Sequence, residues 1–547
     1  MQREDYPRPD AVRPRLRILD GEWLLATDPA TVTDAINVPS NAVTVRVPYA
    51  PGTSLSGIKD VPLSREWRYY RKFALSPFEC AGSVILNFNN IDGYFEIFLN
   101  GSPVGAGTGV FASSHYDVSA LCKPGENILC VIVRAVKEEV LRGIWSEVWL
   151  EFAARSYFAF VRATIVYADK KLYVQGNLAG NPEGLKIRTE VAFRGKQIAS
   201  YDYKASANFT LCAPLDRDIE PWQIGAPALY DVRLTLYNAK GGVCDTLYTY
   251  TAFREIKLFE NKLYVNGRKT FLRAINDGCV YHGAGNTAPS SAIIAQDYAT
   301  ALTLGFNAVQ FDSTYPSPRH LYIMDKLGLA ARVALSGSSD PHPTEREAAA
   351  ATEENVKLIA RDYGHPSILF WLPFIDFSGS PQLQITGAES YKKLDATRII
   401  PATSGGKIYL NELYDFRLDA PDCEALKAML YIRTNGGIYG EKEEARMLKA
   451  DGALLPSAAL RKLAAYVGSF TAGRVTKNDY LSEKSFIDTY ASAYDLIAAS
   501  GAIGFTLSDL VDTGKGGILD AERNFLLSRE GLTKLIAVNK KKAFAES

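Results

Sequence analysis

The sequence is short of the residues that build metal centres and disulfide frameworks. Its 547 residues include only five histidines and seven cysteines. The cysteines are scattered and odd in number, and no pair has C-x-x-C spacing, so the pattern predicts neither a disulfide framework nor a zinc site. The histidines are isolated from one another. We therefore expect buried or free thiols in a reducing cytoplasm, and no cofactor or metal.

A charge surplus and a long apolar run are also missing. Lys+Arg and Asp+Glu each number 61, so the formal net charge is zero. Nucleic acid is not an expected partner, because phosphate binding needs a cationic surplus. No apolar run reaches the length of about 18 residues that a membrane span requires, and the N-terminus lacks the apolar core of a secretory signal. With 47% hydrophobic and 22% charged residues, the composition predicts a multidomain globular chain acting on a small or neutral partner.

The first half of the chain is rich in short strand-like runs. Val84–Phe88 and Tyr94–Leu99 are two such runs, and Asn100-Gly101 supplies the residue pair of a tight hairpin turn. No convincing helical periodicity appears up to about residue 152, and the strand pattern continues to about residue 256. We predict two all-β sandwiches, over residues 1–152 and 153–256, the second of them immunoglobulin-like.

After about residue 257, strand-like apolar runs alternate with helical segments. Amphipathic stretches such as Arg319–Leu327 and Thr344–Arg361 separate the runs. This alternation predicts a (β/α)₈ barrel over residues 257–547. The eight predicted strands are Phe271–Ile275, Asn307–Phe311, Ala330–Leu335, Ile368–Phe374, Ile399–Thr403, Leu413–Phe416, Ala453–Leu455 and Ala502–Thr506. In such barrels the residues that act on a ligand follow the carboxyl ends of the strands.

Three aspartates follow predicted strands of this barrel. Asp376 follows the most apolar strand, where burial can raise a carboxyl pKa and make the group a proton donor; an aspartate that caps the next segment is the alternative. Asp312 and Asp509 can bind substrate hydroxyls or serve as ordinary loop residues. Trp371 can be a stacking platform for a sugar ring or a core side chain.

Motifs of several other chemistries are missing or out of context. The sequence contains neither a G-x-S-x-G elbow nor a Walker A motif. The glycine-dense segment Gly105–Gly109 follows a predicted hairpin strand and opens no helix. We predict a flexible turn there and not a dinucleotide-binding loop.

A series of short motifs runs through almost the whole chain in a fixed order. The series includes Leu19–Trp23, Leu121–Asn127, Arg142–Glu151, Gly305–Val309 and His365–Phe374. In this order the motifs resemble those of glycoside hydrolase family 2, which contains β-galactosidases, β-glucuronidases and β-mannosidases. The resemblance implies a jelly-roll-like first sandwich, a catalytic-like barrel, a β-glycoside or oligosaccharide as partner and no membrane contact, and it leaves homo-oligomerisation open.

The catalytic positions depart from the pattern of that family. Its members are retaining enzymes, in which one carboxyl protonates the leaving oxygen and a second attacks the anomeric carbon. The Asn-Glu pair after the fourth strand is replaced by Ile375-Asp376, and the arginine of the second strand by Gln310. The nucleophile position falls on Ala458, which cannot attack. The resemblance therefore assigns Asp376 as the acid/base and leaves the nucleophile missing.

Three functions stay open from the sequence. In the first, the chain binds a carbohydrate with weak or no retaining hydrolysis, through contacts from Trp371, Asp312, Tyr315 and Asp509. In the second, it is a working β-glycosidase with relocated carboxylates, for which the nearest candidates are Glu412, Glu441, Glu443 and Glu444. In the third, it is a non-catalytic scaffold whose sandwiches mediate oligomer contacts.

Overall fold

The computed structural model describes residues 3–541 except for several internal segments. Those segments are 28–34, 61–63, 65, 136–141, 216, 313, 339, 341, 402, 407, 410–412, 419–422, 425, 428–429, 431–446, 449–463 and 514–516. All seven cysteines are free thiols. Among the described residues, no helix is both long and apolar enough to cross a membrane.

The first region forms two packed antiparallel sheets. Its strands are β1 (Leu16–Ile18), β2 (Gly21–Ala26), β3 (Val43–Val47), β4 (Glu66–Leu75), β5 (Ser83–Phe88), β6 (Ile91–Leu99), β7 (Ser102–Gly109), β8 (Ser114–Asp117), β9 (Gly125–Arg134), β10 (Gly143–Ile144) and β11 (Val148–Ala153). One sheet has the order β1-β11-β5-β8, and the other has the order β10-β6-β9-β4-β2-β3 with β7 paired to β6. Trp23, Trp67 and Tyr69 are buried between the sheets, so period-two alternation gives each sheet one apolar face.

The second region also forms two antiparallel sheets, followed by a small one. Its strands are β12 (Tyr157–Val166), β13 (Lys171–Ala179), β14 (Lys186–Phe193), β15 (Lys196–Lys204), β16 (Asn208–Pro214), β17 (Tyr230–Tyr237) and β18 (Val243–Thr251). They pair as β12-β13-β16 and β15-β14-β17-β18. Val174, Val191 and Leu234 are buried in the core that these sheets share. A three-stranded sheet then leads onward, formed by β19 (Ile256–Phe259), β20 (Lys262–Val265) and β21 (Arg268–Thr270).

The third region is built on a parallel sheet with helices between its strands. The strands are β22 (Leu272–Asn276), β23 (Ala308–Phe311), β24 (Ala330–Ala334), β25 (Ile368–Leu372), β26 (Ile375–Phe377), β27 (Ser404–Gly406), β28 (Ile408–Tyr409), β29 (Leu413–Leu418), β30 (Met447–Leu448), β31 (Ala464–Phe470) and β32 (Gly504–Leu507). The helices are α1 (Ser291–Thr303), α2 (Pro318–Leu327), α3 (Glu345–Asp362), α4 (Pro381–Leu394), α5 (Tyr480–Ala499) and α6 (Arg529–Asn539). Seven strands pair in parallel in the order β25-β24-β23-β22-β32-β31-β29, and β26 pairs with β27.

This arrangement is a multidomain, mostly β fold that ends in a parallel half-barrel sheet. Strands β22, β23 and β24 of the half-barrel are buried on both faces, as covered parallel strands are. The capping box of Thr344 and Glu347 starts α3 at the predicted position. Closure into a complete (β/α)₈ barrel and the domain boundaries near residues 152 and 256 stay predictions.

The seventh parallel strand is not the predicted Ala453–Leu455. The strand between β29 and β32 is β31, which pairs in parallel with both. The run Ala464–Phe470 is longer, and its Tyr466 and Val467 are fully buried. Ala453–Leu455 and Ala458 lie outside the described residues.

Candidate functional site

The carboxyl ends of β22 and β32 bring Asn276 and Asp509 into contact. The Asn276 side-chain amide donates to Asp509 Oδ1 at 2.7 Å, and the Thr513 hydroxyl donates to Asp509 Oδ2 at 3.1 Å. Burial raises the pKa of Asp509, the hydrogen bond from Asn276 opposes this rise, and the negative charge of Asp312 adds to it. The two aspartates predicted after the second and eighth strands therefore lie close enough to interact.

We call the carboxyl ends of the parallel strands, around Asn276, Asp312 and Asp509, the mouth of the sheet. Below the mouth, buried polar side chains connect the parallel strands to one another. The Gln310 side-chain amide donates to the Gly468 carbonyl at 2.7 Å and accepts from the Thr506 hydroxyl at 2.9 Å. The guanidinium carbon of Arg332 lies 3.4 Å from the ring centroid of Tyr466, a cation–π contact. Gln310, Thr506, Arg332 and Tyr466 are fully buried. These contacts connect β23 with β31 and β32, and β24 with β31, below the mouth.

Asp376 lies between two buried residues at the end of the fourth strand. Ile375 and Phe377 are buried in β26, whereas Asp376 is partly exposed and has a φ of 50°. Aspartate is among the few residues that adopt this left-handed region with modest cost. The cap of the following helix is Ser380, whose hydroxyl accepts from the Leu383 amide at 3.3 Å, so Asp376 does not cap α4. Its role as a proton donor stays a prediction.

Trp371 and Tyr315 are both core side chains in this structure. The Trp371 indole N–H donates to Asp395 Oδ2 at 2.9 Å, and its ring is fully buried. The Tyr315 hydroxyl donates to Asp362 Oδ2 at 2.8 Å. Sugar stacking on either ring stays a prediction, and it requires a ring face that the structure keeps covered.

The carboxyl end of the seventh strand carries hydroxyl and apolar residues. It reads Ser469-Phe470-Thr471-Ala472-Gly473, and no aspartate or glutamate occurs between Ala464 and Gly473. Ser469 is buried. The strand in the seventh position thus offers no side-chain carboxylate within residues 464–473, and the loss of the nucleophile stays a prediction. The other assignment of that position, Ala458, and the alternatives Glu412, Glu441, Glu443 and Glu444 lie outside the described residues.

The sequence interpretation missed the contact between the first sandwich and the mouth. Glu354 of α3 accepts from the backbone amides of Val110, Phe111 and Ala112 through one carboxylate oxygen, at 2.7, 2.7 and 3.0 Å. Its other oxygen accepts from the hydroxyl of Ser336, which follows β24. One buried carboxylate thus joins a sandwich loop to the end of a parallel strand.

The glycine-dense segment before this loop is a strand and not the predicted flexible turn. It forms the second half of β7, which pairs with β6. A Cβ at Gly105 would lie 2.3 Å from the Tyr116 ring, and one at Gly107 would lie 2.7 Å from the Phe95 ring. The glycines therefore serve close packing of aromatic rings. The glycine-dense segment was the one feature of the sequence that could have pointed to the contact of Glu354 with the first sandwich. Gly109 is followed directly by the loop whose amides Glu354 accepts.

No group of three or more His, Cys, Asp or Glu side chains in the described part of the chain is arranged to hold a metal ion. The polar groups at the mouth are an amide, hydroxyls and carboxylates, which hydrogen-bond well to sugar hydroxyls. The arrangement provides donors and acceptors for a neutral polyhydroxylated ligand. The prediction that no cofactor is needed stays a prediction.

Comparison with known sequences identifies relatives over most of the chain. Residues 56–146 match the family model described as "Glycosyl hydrolase 2 galactose-binding domain-like". The β-galactosidase of Aeromonas hydrophila is 26% identical over 436 residues, which cover 67% of this chain and 41% of the relative. The β-galactosidase of Arthrobacter sp. is 23% identical over 308 residues, which cover 53% of this chain and 29% of the relative. The chain thus spans less than half the length of these curated relatives.

Solved structures share the fold over nearly the whole chain. A β-glucuronidase of an uncultured Clostridium sp. superposes with a TM-score of 0.76 at 16% identity, covering 96% of this chain and 98% of that one. The Ruminococcus gnavus β-glucuronidase in complex with D-glucuronic acid gives 0.75 at 15% identity, covering 98% and 99%. Bacteroides uniformis β-glucuronidase 2, covalently bound to a cyclophellitol-6-carboxylate aziridine, gives 0.75 at 18% identity, covering 96% and 70%. At these identities the likeness establishes the fold.

Proposed function

We propose that this chain, a member of glycoside hydrolase family 2, binds a β-linked carbohydrate at the mouth of its parallel sheet and hydrolyses it weakly or not at all. The observation that carries the proposal is the end of β31, where Ser469-Phe470-Thr471 stands without a carboxylate. Retaining hydrolysis requires a carboxylate there, because that group forms the covalent intermediate with the anomeric carbon.

The remaining groups supply binding and one candidate proton donor. Asn276, Asp312 and Asp509 offer hydrogen-bond partners for sugar hydroxyls at the ends of the first, second and eighth strands. Asp376 is the candidate acid at the end of the fourth. General acid catalysis alone contributes about 10²–10⁴-fold, whereas enzymes accelerate their reactions by about 10⁶-fold or more. Residual turnover therefore falls far below that of an intact retaining pair.

The names of the relatives limit the class of ligand that we propose. The curated relatives are β-galactosidases and the structural neighbours are β-glucuronidases, so a β-linked hexoside or hexuronide is the proposed ligand. We also propose a cytoplasmic location, which the scattered and odd-numbered cysteines favour because they do not suggest a disulfide framework. Homo-oligomerisation stays open within it.

The test combines turnover, covalent labelling and direct binding on the full chain. We expect hydrolysis of 4-nitrophenyl β-galactoside and β-glucuronide to be about 10⁴-fold or more slower than by a retaining family member assayed beside it. Intact-mass spectrometry is expected to show no adduct after incubation with a 2-deoxy-2-fluoro glycoside or a cyclophellitol aziridine. Isothermal titration calorimetry is expected to detect binding of a β-glycoside.

Three results contradict the proposal. Turnover comparable to that of the retaining control would show a working site. A stoichiometric adduct on a carboxylate would show that the nucleophile has been relocated, and peptide mapping would then decide among Glu412, Glu441, Glu443, Glu444 and other acidic residues. Failure of every glycoside to bind would leave the scaffold hypothesis.

A further inference from the structure

Three arginine side chains gather around one tyrosine where the second sandwich meets the parallel sheet. The guanidinium carbon of Arg162 lies 4.4 Å from the ring centroid of Tyr363, and that of Arg398 lies 4.9 Å from it. The third side chain is Arg254, whose Nη1 donates to the carbonyl of Thr397, the residue before Arg398, at 3.1 Å. We call Arg162, Arg254 and Arg398 the arginine cluster.

Two members of the cluster lie on neighbouring stretches of the second sandwich, one in β12 and one shortly after β18. The Thr251 hydroxyl donates to the Ala163 carbonyl of β12 at 3.1 Å. Two residues further on, the Phe253 ring stacks on the Tyr167 ring, with centroids 4.3 Å apart. The segment 251–254 therefore runs beside β12 and brings its arginine to the one that β12 carries.

The arginine cluster lies at the end of the parallel sheet that is opposite the mouth. Tyr363 is the C-cap of α3, and β25 begins five residues later. Thr397 stands two residues before Ile399, whose amide donates to the Leu369 carbonyl of β25. Because a helix that follows a parallel strand returns the chain to the amino ends of the strands, these residues lie at that end. The cluster is thus separate from the proposed carbohydrate site.

Only one of the three guanidinium groups is neutralised by the protein. Arg398 pairs with Asp395 at 3.0 Å, and its Nη2 also donates to two backbone carbonyls. Arg162 donates to the Gln175 side-chain oxygen at 2.7 Å, and Arg254 donates to a backbone carbonyl. Within the part of the chain that the structure describes, neither of these two forms an ion pair. The cluster with its aspartate therefore carries a net charge of about +2.

Arg254 is the member whose charge is least well compensated. Burial and the positive charge of Arg398 lower the pKa of Arg254 well below its usual value. The charges of Asp395 and Asp325 oppose this shift, but each aspartate already binds another basic side chain. A partly buried cation without a partner is unfavourable, and a bound anion would remove that cost.

The unused donors of Arg254 have the geometry of an oxyanion site. Its Nε is buried and has no hydrogen-bond partner among the described residues, and its Nη2 likewise donates no hydrogen bond there. With Nη1 occupied, the Nε–H and one Nη2–H point in the same direction along one edge of the planar fork. Two oxygens of one phosphate match this edge, and the second free guanidinium, that of Arg162, supplies the charge that a dianion requires.

We propose that Arg254 and Arg162 form a binding site for a phosphate group at the junction of the second sandwich and the amino ends of the parallel strands. The ligand is inorganic phosphate or a small phosphate monoester. The proposal does not depend on the proposed function, because no residue of this site belongs to the mouth.

The experiment measures binding of sodium phosphate and of glycerol 3-phosphate to the full chain by isothermal titration calorimetry and thermal melting. Sodium chloride at matched ionic strength is the control for screening. The variants are Arg254→Gln, Arg254→Lys and Arg162→Gln. The matched control is Arg188→Gln, since Arg188 lies on the same sandwich and pairs with Asp202 at 2.7 Å.

We expect phosphate to raise the melting temperature of the wild-type protein more than sodium chloride does, because a ligand of the folded state stabilises it. Arg254→Gln is expected to weaken phosphate binding about tenfold, the effect of losing a two-pronged charged contact. Arg254→Lys, which keeps the charge and loses the fork, is expected to show a smaller loss. Arg188→Gln is expected to change binding less than about twofold.

Each outcome decides for or against the site. Equal affinity for the two ligands, or tighter binding of glycerol 3-phosphate, supports it and identifies the bare phosphate group or the monoester as the ligand. A melting shift no larger than that caused by sodium chloride overturns it. Equal losses in Arg254→Gln and Arg188→Gln overturn it as well. If Arg254→Gln does not fold, unchanged phosphate binding by Arg162→Gln overturns the proposal.

Discussion

At the scale of single residues, Glu354 makes the contact that most directly shapes the mouth. Three backbone amides converge on one of its oxygens, and the residue is 8% exposed. If the side chain is removed, these buried N–H donors lose their acceptor, which lowers the free energy of unfolding. The loop at Val110–Ala112 therefore depends on a residue about 240 positions away in sequence.

Glu354→Ala is expected to destabilise the protein by about 2–4 kcal/mol, because it leaves buried amide donors without an acceptor. Glu354→Gln keeps an acceptor oxygen and is expected to cost less. The measurement is the shift in the urea unfolding midpoint followed by tryptophan fluorescence. The control is Glu353→Ala, the preceding residue, whose side chain is 77% exposed and pairs with Lys357 at 3.3 Å. Equal effects of the two alanine variants would contradict the assignment.

Asp376→Asn is expected to reduce residual hydrolysis only for substrates with poor leaving groups. A general acid protonates the departing oxygen, so an alkyl glycoside needs it and a 2,4-dinitrophenyl glycoside does not. Rates for the two substrate types are compared in wild type, Asp376→Asn and the surface control Asp202→Asn. Equal loss for both substrates, or no loss for either, would show that Asp376 is not the acid.

The sequence predicted part of this site because strand ends are visible in the residue pattern. Asp376 and Asp509 follow their strands as expected, and Asp509 contacts Asn276. For Trp371 the sequence left both a core position and a stacking role open, since a parallel strand covered on both faces shows no alternation that tells its two sides apart. The burial of Tyr315, which follows the second strand in a loop, was not predicted. Glu354 was not predictable either, because a glutamate in the charged helix α3 is ordinarily exposed.

At the scale of secondary-structure elements, β7 is a strand that its amino-acid composition does not predict. Glycine normally weakens strands, so Gly105, Gly107 and Gly109 argue for a turn when read alone. The structure uses them where the rings of Tyr116 and Phe95 pack against the backbone. By contrast, β5 and β6 match the predicted runs Val84–Phe88 and Tyr94–Leu99, whose Val, Ile and aromatic content is typical of strands. The run that forms β31, Ala464–Phe470, was not among the predicted strands.

Gly105→Ala is expected to destabilise the protein by about 1–3 kcal/mol, since the new Cβ would lie 2.3 Å from the Tyr116 ring. Gly364→Ala is the matched control, because no atom lies within 4 Å of its added Cβ and its φ is not in the left-handed region. Melting temperatures from differential scanning calorimetry measure the difference. A Gly105→Ala variant as stable as Gly364→Ala would contradict the packing role of β7.

At the scale of the whole molecule, buried charged groups join the three regions. Arg13 pairs with Glu151 of the first sandwich and with Asp245 of the second, where its Nε lies 3.2 Å from the carboxylate. The Tyr250 hydroxyl of the second sandwich donates to Asp325 at 2.7 Å, and His365 Nδ1 lies 2.7 Å from the same oxygen. Removing one member of such a buried group costs about 3–5 kcal/mol, because its partner is left uncompensated.

His365 is expected to make the stability of the whole molecule depend on pH. Burial is the largest single influence and opposes protonation of His365. The charge of Asp325, its hydrogen bond to the ring and the charges of Asp362 and Asp10 together outweigh burial, so the pKa of His365 is raised above its usual value. The folded state therefore binds the proton more tightly than the unfolded state. The stabilisation is fully present below about pH 6.5 and is lost as the pH rises through the folded-state pKa.

His365→Gln is accordingly expected to lower the melting temperature most near pH 6 and progressively less toward pH 9. The control is His282→Gln, since the His282 side chain is 69% exposed. Melting curves of the three proteins at matched ionic strength provide the measurement. A deficit of His365→Gln that stays constant from pH 6 to pH 9 would rule out a contribution from histidine protonation.

The contacts of the Glu354 carboxylate also limit how the sequence of this protein can change during evolution. It binds Ser336 and accepts three amides of the adjoining loop, so a change at one partner affects the others. A lineage that loses the glutamate releases the selection that keeps a hydroxyl at 336. We expect positions 336 and 354 to be inherited and lost together among homologues, as positions in contact co-vary.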